Sequence, residues 1–378
     1  CALVIDRSLA HERYLTSRRT SPALHRRLRD VATSLGRLSP LYPTHLSVQD
    51  LVADRLATVL HAQDEEDERD PRRDPTTLAS VHTDKVIGGS ALTVLASARR
   101  GVLLGDPGSG KSTLARARVI DAIESGPGGV AAYVRATALL RALNDTSESW
   151  LEAVARIALA LRVDAPRAQD VDELVRLLAT EPSALLVIDG LDEVLDPADR
   201  ATLVDLLDEL PKLPGDVMLT TRHTGYRHLH GWADFAPLAV SPEAYSALLQ
   251  RWLGVDDPTE TLRSLWGVFG VQGLNDMVGH PVLAGIVTSL AISSGDAVAA
   301  SRPELYHQAI AHLCQRRWKA PEHDERSRLE VLALIAGYEE AAWRMVAVTT
   351  VTSYASLAAL GIEVYTVERI GDLLRTAR

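Results

Sequence analysis

The chain has 378 residues, of which 46% are hydrophobic and 24% charged, with a formal net charge of −10 and only two cysteines, Cys1 and Cys314. That is ample for a packed core and ordinary globular composition; it excludes a chain disordered throughout and a disulfide scaffold. The acidic balance argues against a protein that coats nucleic acid along its whole surface, because such binding needs cations against phosphate.

The first sixty residues read as helical and locally basic, with Arg18, Arg19, Arg26, Arg27, Arg29 and Arg37 clustered. This is either a solvated helix face or a docking or nucleic-acid surface. Ser39 to Pro43 breaks the pattern, and a second helix is expected over Ser47–Gln63. Residues 64–75 are acidic, carry two prolines and almost no apolar side chain. A boundary is therefore expected there, between an N-terminal helical region or linker (1–78) and the remainder of the chain.

From about residue 80 the pattern alternates between strands and helices. Strands are expected at 101–104, 129–135, 184–189, 217–222 and 235–240, with helices such as Lys111–Ser125 and Trp150–Arg162 between them. Apolar strands with helical crossovers point to an α/β fold with a parallel sheet covered by helices on both faces. After Ser241 the strands stop. Ser241 reads as an N-cap with Pro242 at the first helical position, and the rest is expected to be mostly helix. The most apolar stretch, Pro281–Ile292, falls short of the roughly 18 uninterrupted apolar residues of a membrane span and is expected as a buried helix. No signal-peptide pattern opens the chain, so a cytoplasmic location is expected, and a first residue that is not methionine leads us to expect a portion of a longer protein.

Residues 105–112 fit G-x-x-x-x-G-K-[ST], with an apolar strand before and a helix after. Gly105, Gly108 and Gly110 let the backbone turn its N–H groups inward on phosphate oxygens, with Asp106, Pro107 and Ser109 between them. The following helix directs its N-terminal partial charge at the same point. Lys111 adds a full charge near the β- and γ-phosphates, Ser112 offers a hydroxyl to Mg²⁺, and Thr113 adds a possible contact. A second apolar strand ends in Asp189, where a carboxylate holds Mg²⁺ directly or through water. Asp192 and Glu193 follow; a carboxylate there polarises the attacking water, or else the pair is an exposed acidic loop. Arg222 ends the next strand, placed to sense γ-phosphate at the sheet's C-terminal edge.

These motifs resemble the NACHT family of STAND P-loop NTPases, which are AAA+-like. The telling element is Asp189 followed by the tiny Gly190 and then the acidic pair Asp192 and Glu193. Thr220, Thr221 and Arg222 look like the family's sensor motif. Gly279, His280 and Pro281 resemble its G-x-P element, and Glu304–Tyr306 through Arg317–Trp318 its entry to a winged helix. The resemblance spans roughly residues 80 to 378. It implies a nucleotide-binding domain (79–240), a helical domain (241–300) and an incomplete winged-helix domain (301–378). It further implies ATP and ADP as ligands with Mg²⁺, Pro281 near the adenine, and slow, regulatory ATP hydrolysis. A member of this family is a switch: closed with ADP, opened by a trigger ligand on a C-terminal sensor, and then a homo-oligomer that activates an effector, here in bacterial antiphage defence.

The family's late winged-helix histidine is expected beyond the final segment Asp372–Arg378, and His280 is a poor substitute for it. Residues 1–78 match no effector: His11, His25 and His45 lack metal-ligand spacing, and Cys314 reads as a small buried hydrophobe. Two other readings stand beside the switch: an ATP-dependent nucleic-acid regulator using the basic N-terminal region, and a nucleotide-binding scaffold with negligible turnover.

Overall fold

The computed structural model describes residues 20–38, 42–60, 90–125, 129–145, 148–161, 165–194, 197–224, 226–260 and 280–294. Its centre is a six-stranded sheet in the order β1-β6-β2-β5-β4-β3. The strands are β1 (Ala57–Leu60), β2 (Arg100–Leu104), β3 (Ala131–Arg135), β4 (Leu185–Asp189), β5 (Asp216–Thr221) and β6 (Ala233–Pro237). The five from β2 to β6 run parallel. β4 is buried throughout, and β2 and β3 are buried except at one end. That burial explains why they read as continuous apolar runs rather than alternating ones.

The sheet departs from the purely parallel expectation at one edge, where β1 pairs antiparallel with β6, Val59 opposite Phe235. The expected helix over Ser47–Gln63 is therefore corrected. Helix α2 spans only Val48–Val52, and after a short turn the chain enters β1. Ser47 and Asp50 form a reciprocal capping box that fixes the start of α2. The edge of β6 supplies backbone partners that helix propensity alone cannot predict.

Helix α1 (Pro22–Leu35) starts at Ser21, whose side chain accepts the Leu24 N–H, with Pro22 in the first turn. Its buried stripe is Leu24, Leu28, Val31, Ala32 and Leu35. It packs on the helix after the phosphate loop, α4 (Lys111–Glu124), as does α2; between them in the chain lies the short α3 (Ala91–Leu95). The Ser21 N–H and hydroxyl both donate to Glu173, at 2.6 and 2.5 Å. Four further helices follow: α5 (Ala136–Asp145), α6 (Trp150–Leu159), α7 (Ala168–Thr180) and α8 (Pro197–Glu209). A second capping box, Ser149 with Glu152, opens α6. Helix α9 (Pro242–Leu253) begins at Ser241 and Pro242 as expected and ends at Gly254 in the left-handed region, φ +67°.

One hydrophobic core runs from Leu24 through α4 and the sheet to Phe235. The described residues up to Glu260, with His280–Ala284, belong to one compact unit. Residues 22–38 and 42–60 thus share the core of the phosphate-binding region, and the expected boundary within 64–75 does not divide two cores. Helix α10 (Pro281–Ser294) is the expected apolar helix; its residues from Gly285 onward belong to a second unit, where Ile286, Thr288, Ser289 and Leu290 are buried. The acidic segment 64–75, His11, Arg18, Arg19, Gly279, Cys314 and the expected winged helix (301–378) lie outside the described residues. Among those that are described, no helix is long and apolar enough to cross a membrane.

Candidate functional site

Strand β2 delivers Leu104 buried to the sheet's edge, and the loop 105–110 carries the chain from there into α4. Three of its glycines are required for different reasons. A Cβ at Gly105 would meet Ser109 Oγ at 2.7 Å. Gly108 and Gly110 hold φ of +82° and +93°, a region that side chains disfavour. Between them stand Asp106 and Pro107, both exposed, and Ser109. Lys111 folds back over the loop, its Nζ donating to the carbonyls of Gly105 (2.5 Å) and Asp106 (3.1 Å). Partial burial lowers the Lys111 pKa below its ordinary value, and the nearby Arg222 adds to this, against Asp192, Asp189 and Asp106, which raise it.

Asp189 is 4% exposed at the end of β4 and is held from three sides. Tyr133 donates from β3 to its Oδ2 at 2.6 Å, Ser112 donates to its Oδ1 at 3.1 Å, and Thr220 from β5 also donates to Oδ1. The Thr220 oxygen in turn accepts the Gly190 N–H at 2.8 Å. This three-strand arrangement depends on β4 lying between β3 and β5. Burial, with the Asp189 carboxylate beside it, drives the Tyr133 phenol well above its usual range, so it remains a donor. The hydroxyl of Ser112 and the carboxylate of Asp189 are hard oxygen donors converging on one point. That suits Mg²⁺, which takes few protein ligands and completes its shell with water and substrate phosphates. Among the described residues no group of three or more His, Cys, Asp or Glu is placed to hold a metal ion by itself.

Gly190 has φ +82°, and a Cβ there would lie 3.1 Å from Glu193 Cδ. The small residue after Asp189 therefore lets the chain turn at once into the 3₁₀ turn Leu191–Glu193. Glu193 is exposed, whereas Asp192 is largely covered and bound to Arg222, Nε to Oδ2 at 2.6 Å. The two expected phosphate-end residues thus engage each other.

Two clefts flank the loop. One is mostly apolar and is lined by Gly110, Thr113, Val240, Tyr245, Leu248 and Pro281. A Cβ on Gly110 would lie 3.6 Å from Pro281 Cγ, so the proline packs directly over the loop. The other has a mixed polar and apolar lining that includes Gly105, Asp106, His223 and His280. His280 therefore faces the start of the loop, not the apolar cleft.

Sequence reasoning assigns no role to Tyr133, to the Thr220 hydroxyl, or to two arginines, Arg116 and Arg55. Arg116 on α4 donates to the carbonyls of Leu35 and Arg37, closing the C-terminal end of α1. Arg55 donates to the carbonyls of Ser109 (3.2 Å) and Leu238 (2.8 Å). The segment carrying Arg55 is also stapled to α9: Tyr42 packs on Trp252 with ring centroids 4.9 Å apart, His45 Nε2 meets the Arg251 carbonyl at 3.1 Å, and Asp54 pairs with Arg251 at 2.5 Å. Within the basic cluster, Arg27 is spent on the Leu159 carbonyl at 3.3 Å, while Arg26, Arg29 and Arg37 are exposed.

Residues 99–252 match the family model described as NACHT domain. No curated protein matches the sequence. Among solved structures the chain is similar to the Thermotoga maritima RuvB Holliday junction branch migration motor, with 13% identity over 75% of this chain and 85% of that one and a TM-score of 0.30. The fold assignment rests on the strand order and the phosphate-loop geometry rather than on that likeness. A strand–loop–helix with the full phosphate signature, an aspartate on a strand two places across, and a family match spanning both make residues 99–252 of this chain a NACHT domain on a P-loop NTPase fold.

Proposed function

We propose that this chain is the nucleotide-operated core of a STAND-class signalling switch that exchanges ADP for ATP, with Mg²⁺, and hydrolyses ATP slowly. The observation that carries this reading is the Arg222–Asp192 ion pair beside Lys111. An arginine at a strand end held by a neighbouring carboxylate is a two-position element. A γ-phosphate offers it a competing anion, and a diphosphate does not reach it. Only a ligand with different affinity for two states shifts their balance, and this residue supplies that difference.

The remaining roles follow from placement. The loop N–H groups and the start of α4 receive the phosphates, and Lys111 moves from the Gly105 and Asp106 carbonyls to them. Ser112 and Asp189 would hold Mg²⁺, which would supply positive charge against the phosphates. Tyr133 and Thr220 fix the Asp189 carboxylate. Exposed Glu193 is the base that orients water. The apolar cleft under Tyr245 and Pro281 takes the adenine. Oligomerisation on a trigger, activation of an effector, a cytoplasmic setting and a role in bacterial antiphage defence extend this reading through the family resemblance.

The test is the nucleotide carried by the purified protein, with its mass in solution before and after ATP and Mg²⁺. Tightly held ADP on a monomer that assembles on exchange supports the switch. Free exchange with rapid turnover and no assembly overturns it. Lys111→Ala is expected to abolish nucleotide binding, and Glu193→Gln to bind ATP while hydrolysing it slowly.

A further inference from the structure

Arg55 sits in the turn between α2 and β1, well before the matched NACHT span, and is only 6% exposed. Its Nη2 is committed to the Ser109 and Leu238 carbonyls, one in the phosphate loop and one just past β6. Its Nη1 is buried and has no hydrogen-bond partner among the described residues. The side chain lines both clefts beside the loop. Burial lowers its pKa to about 10, which still leaves it cationic at neutral pH.

A guanidinium only donates, so an unspent N–H here calls for an acceptor. Leaving a buried donor unmet is costly, and more so when the group is charged. A phosphate is the wrong acceptor for this position. Phosphates are received by inward N–H groups of the loop and by Lys111, whereas Arg55 meets the loop through a carbonyl, at Ser109. The apolar wall of Tyr245 and Pro281, which shares its cleft with Arg55, suits a flat base.

We propose that Arg55 is a nucleotide-binding residue supplied from outside the NACHT span, donating through Nη1 to an acceptor on the nucleoside half of the bound nucleotide while Nη2 holds the phosphate loop. One side chain then links recognition of the nucleoside to the loop, to the strand leading into α9, and to the N-terminal segment. The proposal rests on the reading of this cleft as a nucleotide site.

The experiment compares binding of ATP and of inorganic tripolyphosphate, each with Mg²⁺, to the whole chain by calorimetry. Arg55→Ala also removes the Nη2 brace on the loop, so both ligands are expected to weaken, ATP by about tenfold more than tripolyphosphate, the worth of a hydrogen bond to a charged group. Arg55→Lys keeps the charge and serves where the alanine variant fails to fold, and it is expected to show the same selective loss in smaller measure. Equal losses on both ligands would make Arg55 a brace for the loop alone and overturn the proposal, as would no loss on either. Wild-type protein that binds neither ligand sinks the nucleotide reading itself, whereas Lys111→Ala losing both ligands while the Arg55 variants bind like wild type sinks only this inference.

Discussion

Arg222 Nε lies 2.6 Å from Asp192 Oδ2, joining the end of β5 to the turn that follows Asp189. The arginine side chain is half exposed and the aspartate nearly covered, so the pair sits at the mouth of the site with solvent on one side. Such a pair is worth little: about 0.2–1 kcal/mol when exposed. A weak latch is what a phosphate can displace.

Asp192→Asn should therefore release Arg222 and raise the ratio of ATP to ADP affinity by up to about fivefold, the upper end that this coupling energy allows. Arg222→Ala should bring the ratio towards one. Calorimetric titration of both nucleotides against both variants checks this, and a ratio unchanged in the two would sink the sensor assignment.

Tyr133 is the donor that fixes the far oxygen of Asp189, 2.6 Å away in a buried setting. Tyr133→Phe leaves the ring in place and removes that one bond. The expected cost is about 1.5–3 kcal/mol of unfolding free energy, as for other hydrogen bonds to a charged group. With a freer carboxylate, more Mg²⁺ should be needed for tight ATP binding, while ADP binding without Mg²⁺ stays as in wild type. Denaturant melts and a Mg²⁺ titration read both effects. An unchanged Mg²⁺ requirement would show that Tyr133 supports the fold but does not orient Asp189.

What can be read from sequence divides along a physical line. The phosphate loop, Asp189 and the acidic pair are legible because phosphate and Mg²⁺ chemistry demands those residue types at short, fixed spacing. Tyr133, Thr220 and Arg55 reach their partners across 56, 31 and 54 residues of chain, and no local pattern encodes such contacts. Strand β1 reads as helix in the sequence for a related reason. Its four residues carry no decisive period, and pairing with β6 settles the matter. Ser241, Pro242 and Gly254 carry their own stereochemistry; the first two mark the start of α9 directly.

The acidic run at 64–75 points to a separable N-terminal region, yet Leu24, Leu28, Val31 and Leu35 of α1 are buried in the common core. Each fully buried side chain of this kind contributes about 1.5–3 kcal/mol. A fragment of residues 99–260 should consequently be insoluble or unfold far below the whole chain, and one of residues 20–260 should recover most of the stability. Thermal melts of the two fragments decide it. Equal melting temperatures would mean that α1 is an appendage and that the domain begins where the family match does.

Lys111 gives a pH dependence whose two parts have opposite sign. Its folded-state pKa lies below the ordinary lysine value of 10.5, chiefly because it is partly buried. Phosphate binding needs the ammonium form, so nucleotide affinity should begin to fall at a lower pH than an exposed lysine would cause. Stability of the nucleotide-free protein moves the other way. The charged form is disfavoured in the fold, so the cost of holding it is present in full below the folded pKa. That cost is relieved as pH rises from there towards 10.5. Against a Lys111→Met reference, the nucleotide-free wild type should gain stability over this alkaline window while its nucleotide affinity declines. Affinity that stays level through the window would mean that another cation carries the phosphate charge.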